Sequence, residues 1–430
     1  MEQDEGGGGL YQPASRLNLI AKGVRRMLKK PDYHIARDLL LDTVSTMGIE
    51  QVSLTECTAR ILAYDLVASE NVPSFDRSPY DGYALCAADT VGASEENPVI
   101  FQIIEEIPAG AVPSSRITEK TAAKILTGAP VPEGADAVIM FEKTEFTDKT
   151  VKIFAPLKAG ENIVCTGEDV KKGQILARKG DKIDPGTAGT MASQGIVAPM
   201  VYQIPKVGIL CTGSELVEVS EIPESGKIRN SNRHTFEAVL RIMGCEPVYL
   251  GTAGDSAEEI AERFKKGLET CDAVISTGGV SVGDYDLTPE AMEAAGVTML
   301  FQGVNMKPGM ACAYGVYHGK LVCGLSGNPA SSLTNFYAVA MPALKKLMGH
   351  REPLPEEISM TLINGFRKKS HADRFLRGKL VLKTGVAGLE IPKDQGNVVL
   401  SSTIGCNAMA LVPAGSGPLA EGTVLKGFVL

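Results

Sequence analysis

The residues best equipped for chemistry lie between positions 272 and 286, D-A-V-I-S-T-G-G-V-S-V-G-D-Y-D. Ser276, Thr277, Gly278, Gly279, Ser281 and Gly283 are small or hydroxylated, so no bulky side chain blocks the backbone there. Such a loop can turn its N–H groups toward a phosphate or another oxyanion. Asp284 and Asp286 follow at once, and two carboxylates would repel a bare anion. A divalent cation between acids and anion reconciles the two. Glu215, just past Thr212-Gly213, has no helix-capping pattern and is a further candidate for holding a metal or positioning water. Asp255 fits that role or a helix N-cap, because Glu258 stands at capping-box spacing. Lys307, in K-P-G, can complement an anion, and Gly327-Asn328-Pro329 opens a helix whose first N–H groups can receive one. Taken alone, a surface lysine and an ordinary turn explain these two as well. Asp81, in S-P-Y-D-G-Y-A, and Thr127, in T-G-A-P-V-P, read either as turn residues or as ligands.

The elements that must position these residues follow from periodicity. Apolar residues at helical spacing predict a helix over 33–47, and a second over 55–66 with Thr55 as its cap. Short β runs at 99–104, 122–126, 137–141 and 150–153, separated by Gly/Pro turns, predict a small β domain over 67–167. A helix near 188–195 suggests that 168–204 returns to pack on 31–66 as a discontinuous linking domain. From 205 to 350 strands and helices alternate: strands at 207–210, 247–250, 273–275 and 297–301, helices capped by Asn232 and Asp255 or starting at Thr288, then a hairpin and a long helix to about 348. That alternation predicts an open, mostly parallel α/β sheet, whose ligands bind at the carboxyl ends of the strands. Residues 351–430 read as a C-terminal β domain. The expected class is therefore multidomain α/β plus β.

Composition narrows the function. The net charge is −8 and no long basic cluster occurs, which argues against non-specific nucleic-acid binding. No apolar run approaches the roughly 18 residues of a membrane span. Nine cysteines without a C-x-x-C pair suggest reduced residues of a cytoplasmic protein. Residues 1–30 are expected to be disordered, and the acids and Gly6–Gly9 run near the start are unlike a signal peptide. The G-x-G-x-x-G and Walker nucleotide fingerprints are absent from the strand–helix junctions.

Taken in order, S-P-Y-D-G-Y-A, T-G-A-P-V-P-E-G-A-D-A-V, G-E-D, T-G-S-E-L, S-T-G-G-V-S-V-G-D-Y-D, K-P-G and S-G-N-P resemble the MoeA family of molybdopterin molybdenumtransferases, related to the plant Cnx1 and gephyrin E domains. The resemblance runs from Tyr33 to Leu430. It implies four subdomains, with a molybdopterin-binding α/β domain and a C-terminal β-barrel-like domain, in an elongated homodimer. The site would lie between that α/β domain and the partner's β domain, bringing Asp81 and Thr127 in trans. The implied reaction takes adenylylated molybdopterin and molybdate as substrates, releases AMP and inserts the metal into the dithiolene with Mg²⁺ assisting, alongside other molybdenum-cofactor proteins.

Matching positions are Asp81, Thr127, Asp169, Glu215, Asp255, Asp286, Lys307 and Pro329, while Arg377 and the Ser401/Ser402 pair match positions near the molybdate site. Of these, Glu215, Asp255 and Asp286 are the expected metal ligands, and Thr212, Gly213, Asn328 and the 276–281 loop line the substrate site. The departures remove charge or change shape: Tyr80 for Met, Val164 for Arg, Ser214 for Asp, Gly303 and Met310 for Lys, and Ser326 for Pro. Loss of several cations leaves two other readings open, a scaffold or regulator that binds pterin or nucleotide without turnover, and an insertase for tungstate.

Overall fold

The computed structural model describes residues 27–280, 287–383 and 385–430. It divides into two compact units, Gln51–Val201 and the remainder of the chain on either side of it.

In the 51–201 unit, six strands form one sheet in the order Ala137–Met140, Gly82–Leu85, Thr121–Ile125, Val99–Ile107, Thr150–Ile153, Thr144–Phe146. Tyr83, Leu85, Phe101 and Ile153 fill one core, and Ala84, Ile107, Ile125 and Val138 another. Sequence periodicity missed Gly82–Leu85 because all four residues are buried, so no polar alternation marks the strand. A smaller core gathers Cys57, Leu62, Leu66, Ile183, Met191 and Val201. The helix expected over 55–66 is absent. Only a single turn, Leu54–Glu56, is helical. Ala59 adopts φ +66, and Ala59 and Leu62 donate backbone hydrogen bonds to Ile183 and Asp181, while Ile183 donates to Arg60, so the segment is drawn into extended pairing. The helix near 188 is present as Pro185–Ser193, capped by Asp184, which accepts from Thr187 N at 2.7 Å.

In the other unit, seven strands form a sheet in the order Leu28–Lys29, Thr298–Gln302, Cys312–Tyr317, Lys320–Leu325, Ala273–Thr277, Lys206–Thr212, Glu246–Ala253. Every pairing is parallel except the two made by Cys312–Tyr317. That strand returns through His318 and Gly319, at φ +46 and +82, the left-handed pair of a tight hairpin. Val207, Ile209, Ile275, Phe236 and Leu344 pack on one face of the sheet, Leu210, Val274, Phe264 and Met292 on the other. Two expectations shift here. Leu28–Lys29 is an ordered edge strand, so the segment expected to be disordered to position 30 contributes to the sheet. The helix Tyr33–Thr43 falls with this sheet rather than with 52–66, because Ala36, Leu40 and Val44 join its core. The long helix runs as Pro329–Asn335 and Met341–Leu347 with a π-helical stretch, Phe336–Ala340, between.

The C-terminal strands, Glu357–Leu362, Arg374–Lys383, Val386–Glu390, Ala408–Val412 and Val424–Val429, close into a barrel. Met360, Leu376, Leu389 and Ala410 fill it.

Gly82, in the D-G-Y segment, is fixed by packing: a Cβ there would lie 1.9 Å from the Ile139 carbonyl oxygen of the neighbouring strand. Gly82→Ala is expected to destabilise the 51–201 unit by roughly 2–4 kcal/mol, read as a lowered urea midpoint.

Candidate functional site

Register decides what the sheet presents. Thr212 lies beside Ala253, Cys211 beside Thr277 and Thr277 beside Leu325. The loops that begin at 213, 254, 278 and 326 therefore leave the sheet along one line. Gly213 N donates to Ala253 O at 3.1 Å and Gly278 N to Leu325 O at 2.9 Å. Thr212 Oγ1 donates to Thr277 O at 3.3 Å. The N–H groups of Gly213 and Gly278 thus extend the sheet by a further rung and are not open to an anion, while the expected cradle from 281 onward lies outside the described residues. Glycine is required at 278, where φ is +106 and a Cβ would sit 2.4 Å from Thr212 O. Ser276 and Thr277 are fully buried; Thr277 Oγ1 meets Cys211 Sγ at 3.5 Å, and Ser276 Oγ has no partner. Both hydroxyls thus lie within the sheet layer. Ser281, Gly283, Asp284 and Asp286 are outside the described residues.

Asp255 is not the cap of the following helix. Ser256 takes that role, accepting from Glu259 N at 3.3 Å, and leaves Asp255 to accept Ser214 Oγ at 2.6 Å. A short polar residue at 255 and another at 256 gave no sequence signal to separate them. The Glu215 carboxylate folds over Gly213, where a Cβ would meet Oε2 at 2.4 Å. Its loop is tied down by Ile228 N to Glu215 O at 2.9 Å and Lys227 Nζ to Ser214 O at 2.6 Å. Arg233 anchors the far end, bonding Glu218 at 2.8 Å and Glu237 at 3.0 Å while lying 3.8 Å over the Tyr249 ring. Ion pairs in this region use Glu218, Glu237 and Glu259, which leaves Glu215 and Asp255 without one among the described residues.

On the same unit, the turn carrying Lys307 is held from both sides. Lys307 N donates to Asp373 O and Phe375 N to Lys307 O, each at 2.8 Å. Asn335 Nδ2 donates to Gly309 O at 2.6 Å. Asn328 and Pro329 open the helix as expected, but Ala330 N and Ser331 N both donate to Asn397 O, at 3.1 and 3.3 Å. Asn232, expected as a cap, lies inside its helix, since Asn230 caps it by accepting Arg233 N at 3.1 Å. Asn232 instead bonds Gly327 O at 2.8 Å.

Arg377 is 2% exposed. Its guanidinium reaches Ser402 Oγ at 3.0 Å, Thr334 Oγ1 at 3.4 Å and Gly396 O at 3.4 Å, and its Nε has no partner. No carboxylate among the described residues bonds it. Burial pulls its pKa down, opposed by the fields of Cys406 and Asp394, yet an arginine remains charged. Of the expected serine pair, Ser402 makes the contact and Ser401 is exposed. Thr334 was not foreseen, because nothing in sequence pairs a helix threonine with a barrel arginine.

In the 51–201 unit, Thr127 donates both its backbone N–H and its Oγ1 to one oxygen of Asp81, each at 2.7 Å. Asp169 is exposed and donates its N–H to Val72 O at 3.0 Å. The loop before it is held by Asp76, which accepts the Thr166 N–H and Oγ1 at 2.7 and 2.8 Å. Val164 and Arg77 exchange backbone hydrogen bonds at 2.9 and 3.0 Å.

Comparison with known proteins gives this arrangement a family. Residues 32–195 match the model of the MoeA N-terminal region, domains I and II, and residues 208–346 that of a probable molybdopterin-binding domain. The chain is 38% identical over 380 residues to a molybdopterin molybdenumtransferase of Staphylococcus aureus strain COL, covering 88% of this chain and 90% of that one. The chain belongs to the MoeA family. A Staphylococcus epidermidis protein of the same name is 38% identical over 87% of this chain and 89% of its own. The crystal structure of the MoeA protein of Pyrococcus horikoshii superimposes with a TM-score of 0.81 at 33% identity, over 93% of this chain and all of that one. The multidomain α/β plus β class expected from sequence is thereby met.

Carboxylate oxygens suit a hard cation. No group of three His, Cys, Asp or Glu among the described residues could hold a metal ion. Glu215 and Asp255, unpaired on adjoining loops, nevertheless match the one or two carboxylates with which Mg²⁺ is ordinarily held, its remaining ligands being water and phosphate.

The two donors from Thr127, side chain first and backbone second, hold the Asp81 carboxyl below its ordinary range. Stabilisation from this pair is present above the ordinary carboxylate pKa and is lost as pH falls through the lowered one. In Thr127→Val the Asp81 carboxyl should titrate at higher pH than in the wild type, followed by carboxyl ¹³C NMR. An unchanged titration would show that the hydroxyl plays no part.

Proposed function

We propose that this MoeA-family chain is a molybdopterin molybdenumtransferase, taking adenylylated molybdopterin and molybdate, releasing AMP and inserting molybdenum into the dithiolene. Arg377 carries the reading. A guanidinium removed from water with only neutral partners, and one N–H left unbonded, is stabilised by an anion that supplies the missing charge and acceptor. Molybdate is such an anion, and a tetrahedral oxyanion has oxygens enough to bond the guanidinium and a serine hydroxyl together. Lys307, on the turn joined to the Arg374–Lys383 strand, adds a second cation.

Glu215 and Asp255, with Asp286 as a third, would hold Mg²⁺. When bound, Mg²⁺ neutralises charge on the diphosphate link as that link breaks. The chain's own part is to fix these carboxylates. Ser214 orients Asp255, and the strands at 216 and 228 hold Glu215 at the sheet edge. Gly327, Asn328, Pro329 and the 276–281 loop border the pterin in this reading. Asp81, Thr127 and Asp169 complete the site from the partner of a cytoplasmic homodimer, and size-exclusion chromatography with light scattering tests the dimer. The domain limits 67–167, 205–350 and 351–430 belong to the same proposal, with 168–204 returning to pack on 52–66 and the helix Tyr33–Thr43 joining the α/β domain.

Purified protein incubated with adenylylated molybdopterin, Mg²⁺ and molybdate should release AMP. Glu215→Gln should slow that release by roughly 10²-fold or more, as removal of a charge-stabilising group at a reacting centre does. Arg377→Met should raise the molybdate concentration for half-maximal insertion by at least roughly tenfold. Substrate binding without AMP release by the wild type would favour a scaffold instead, and faster turnover with tungstate a different oxyanion.

A further inference from the structure

We propose that Lys30 is an oxyanion-binding residue of this site, delivered to it by the edge strand Leu28–Lys29. The strand pairs in parallel with the end of Thr298–Gln302, Leu28 beside Phe301 and Lys29 beside Gln302. The next residue is therefore carried past the carboxyl end of Thr298–Gln302, from which the turn bearing Lys307 also leaves. Lys30 N donates to Gln302 O at 3.0 Å, and Asn305 N donates to Pro31 O at 2.8 Å. Asn305 Nδ2 also bonds Asp32 at 3.0 Å. The chain on both sides of Lys30 is thus fastened along 301–305.

Three observations point to a ligand. Lys30 adopts φ +48, a left-handed conformation that a lysine has no intrinsic reason to take and that such fastening imposes. Its stem crosses Gly303 so closely that a Cβ there would lie 2.8 Å from Lys30 Cγ. With Gly303 itself at φ +72, this point of the edge is built to receive a side chain from outside rather than to bear one. The exposed ammonium also has no ion pair or hydrogen-bond acceptor among the described residues, although Asp32 is only two positions away and is engaged by Asn305.

Position 303 is the base of the turn that bears Lys307. Gly303 N donates to Cys312 O at 2.7 Å and Val304 N to Met310 O at 3.0 Å, closing the turn across its neck. The turn's Gly309 is held by Asn335, which adjoins Thr334, a partner of the Arg377 guanidinium. Lys30 thus crosses the base of the turn that bears Lys307, and that turn is bound to the helix carrying Thr334, a partner of Arg377; Lys30 lies before residue 32, where the family match begins. The anion's identity rests on the molybdenumtransferase reading. Its chemistry, a di- or trivalent oxyanion, is shared by molybdate and by the substrate's phosphate.

Isothermal titration of the full chain with molybdate alone, and separately with AMP alone, tests the assignment. Lys30→Met keeps the stem over Gly303 and removes the charge. It should weaken one of the two ligands by roughly tenfold, the value of a charged contact near the surface. Lys30→Arg should restore binding, and Lys29→Met should leave it unchanged. Selective loss for molybdate assigns the metal oxyanion, and selective loss for AMP the phosphate. Should Lys30→Met fail to fold, acetylation footprinting of the wild type gives the same answer, with Lys30 protected by the bound anion and Lys29 not. Unchanged affinities, or equal acetylation with and without ligand, would overturn the proposal. A wild type that releases no AMP sinks the molybdenumtransferase reading, whereas an active wild type matched by Lys30→Met in anion affinity sinks the role of Lys30 alone.

Discussion

A buried guanidinium with no carboxylate bonded to it among the described residues is the constraint around which the C-terminal barrel is attached. Burying a charge carries a large desolvation penalty unless other groups replace water. Around Arg377 that replacement is partial: two hydroxyls, one carbonyl and an Nε without a partner. The surrounding chain is correspondingly fixed. Gln395 clamps the arginine's own backbone, accepting its N–H at 3.1 Å and donating to its carbonyl at 2.8 Å. Asn397 O takes two N–H groups from the start of the Pro329–Asn335 helix. The same segment, 395–397, therefore holds the strand that carries the cation and the helix that carries Thr334. Moving either would expose the charge or strip its remaining partners.

The sheet separates charge by topology. The acids of the proposed site lie on the loops after Lys206–Thr212 and Glu246–Ala253, at one edge of the sheet. Cations come from the turn after Thr298–Gln302, near the opposite edge, and from the barrel. In the proposed reading a metal-bound diphosphate would need both signs without their collapsing onto each other, since a lysine paired to Glu215 would neutralise the carboxylate before a metal could use it. Arg233 illustrates the restraint. It takes Glu218 and Glu237, stacks on Tyr249, and so stiffens the Glu215 loop while leaving the Glu215 carboxylate unpaired.

Much of this was legible in the sequence where the signal is periodic. The parallel core strands, the helix stopped by Gly244 at φ +87 and the hairpin at His318-Gly319 follow from apolar runs and turn residues. What escaped were features decided by tertiary pairing. Apolar spacing over 55–66 looks helical, yet Leu62 is buried by pairing with the returning chain instead. Caps were assigned one or two residues late or early, to Asn232 and Asp255 rather than Asn230 and Ser256, because short polar residues cluster at helix starts and only geometry chooses among them. The shift has chemical weight at Asp255, which a capping role would have removed from the site.

A related question is which groups could bind an anion. Small-residue loops at strand ends suggest a cradle of backbone N–H groups, but Gly213, Gly278, Ala330 and Ser331 all donate to carbonyls of the chain. Glycine at 278 serves close approach to Thr212 rather than exposure to a ligand. With those four donors engaged, side-chain cations carry more of the charge complementarity. Side-chain cations are longer-ranged than N–H dipoles and more readily screened by salt. A site of this construction therefore depends on how many ammonium and guanidinium groups it gathers, and on which segments carry them there. Such a site can lose a cation at one position and recover it from another strand, provided that the backbone at the vacated position leaves room for the incoming stem.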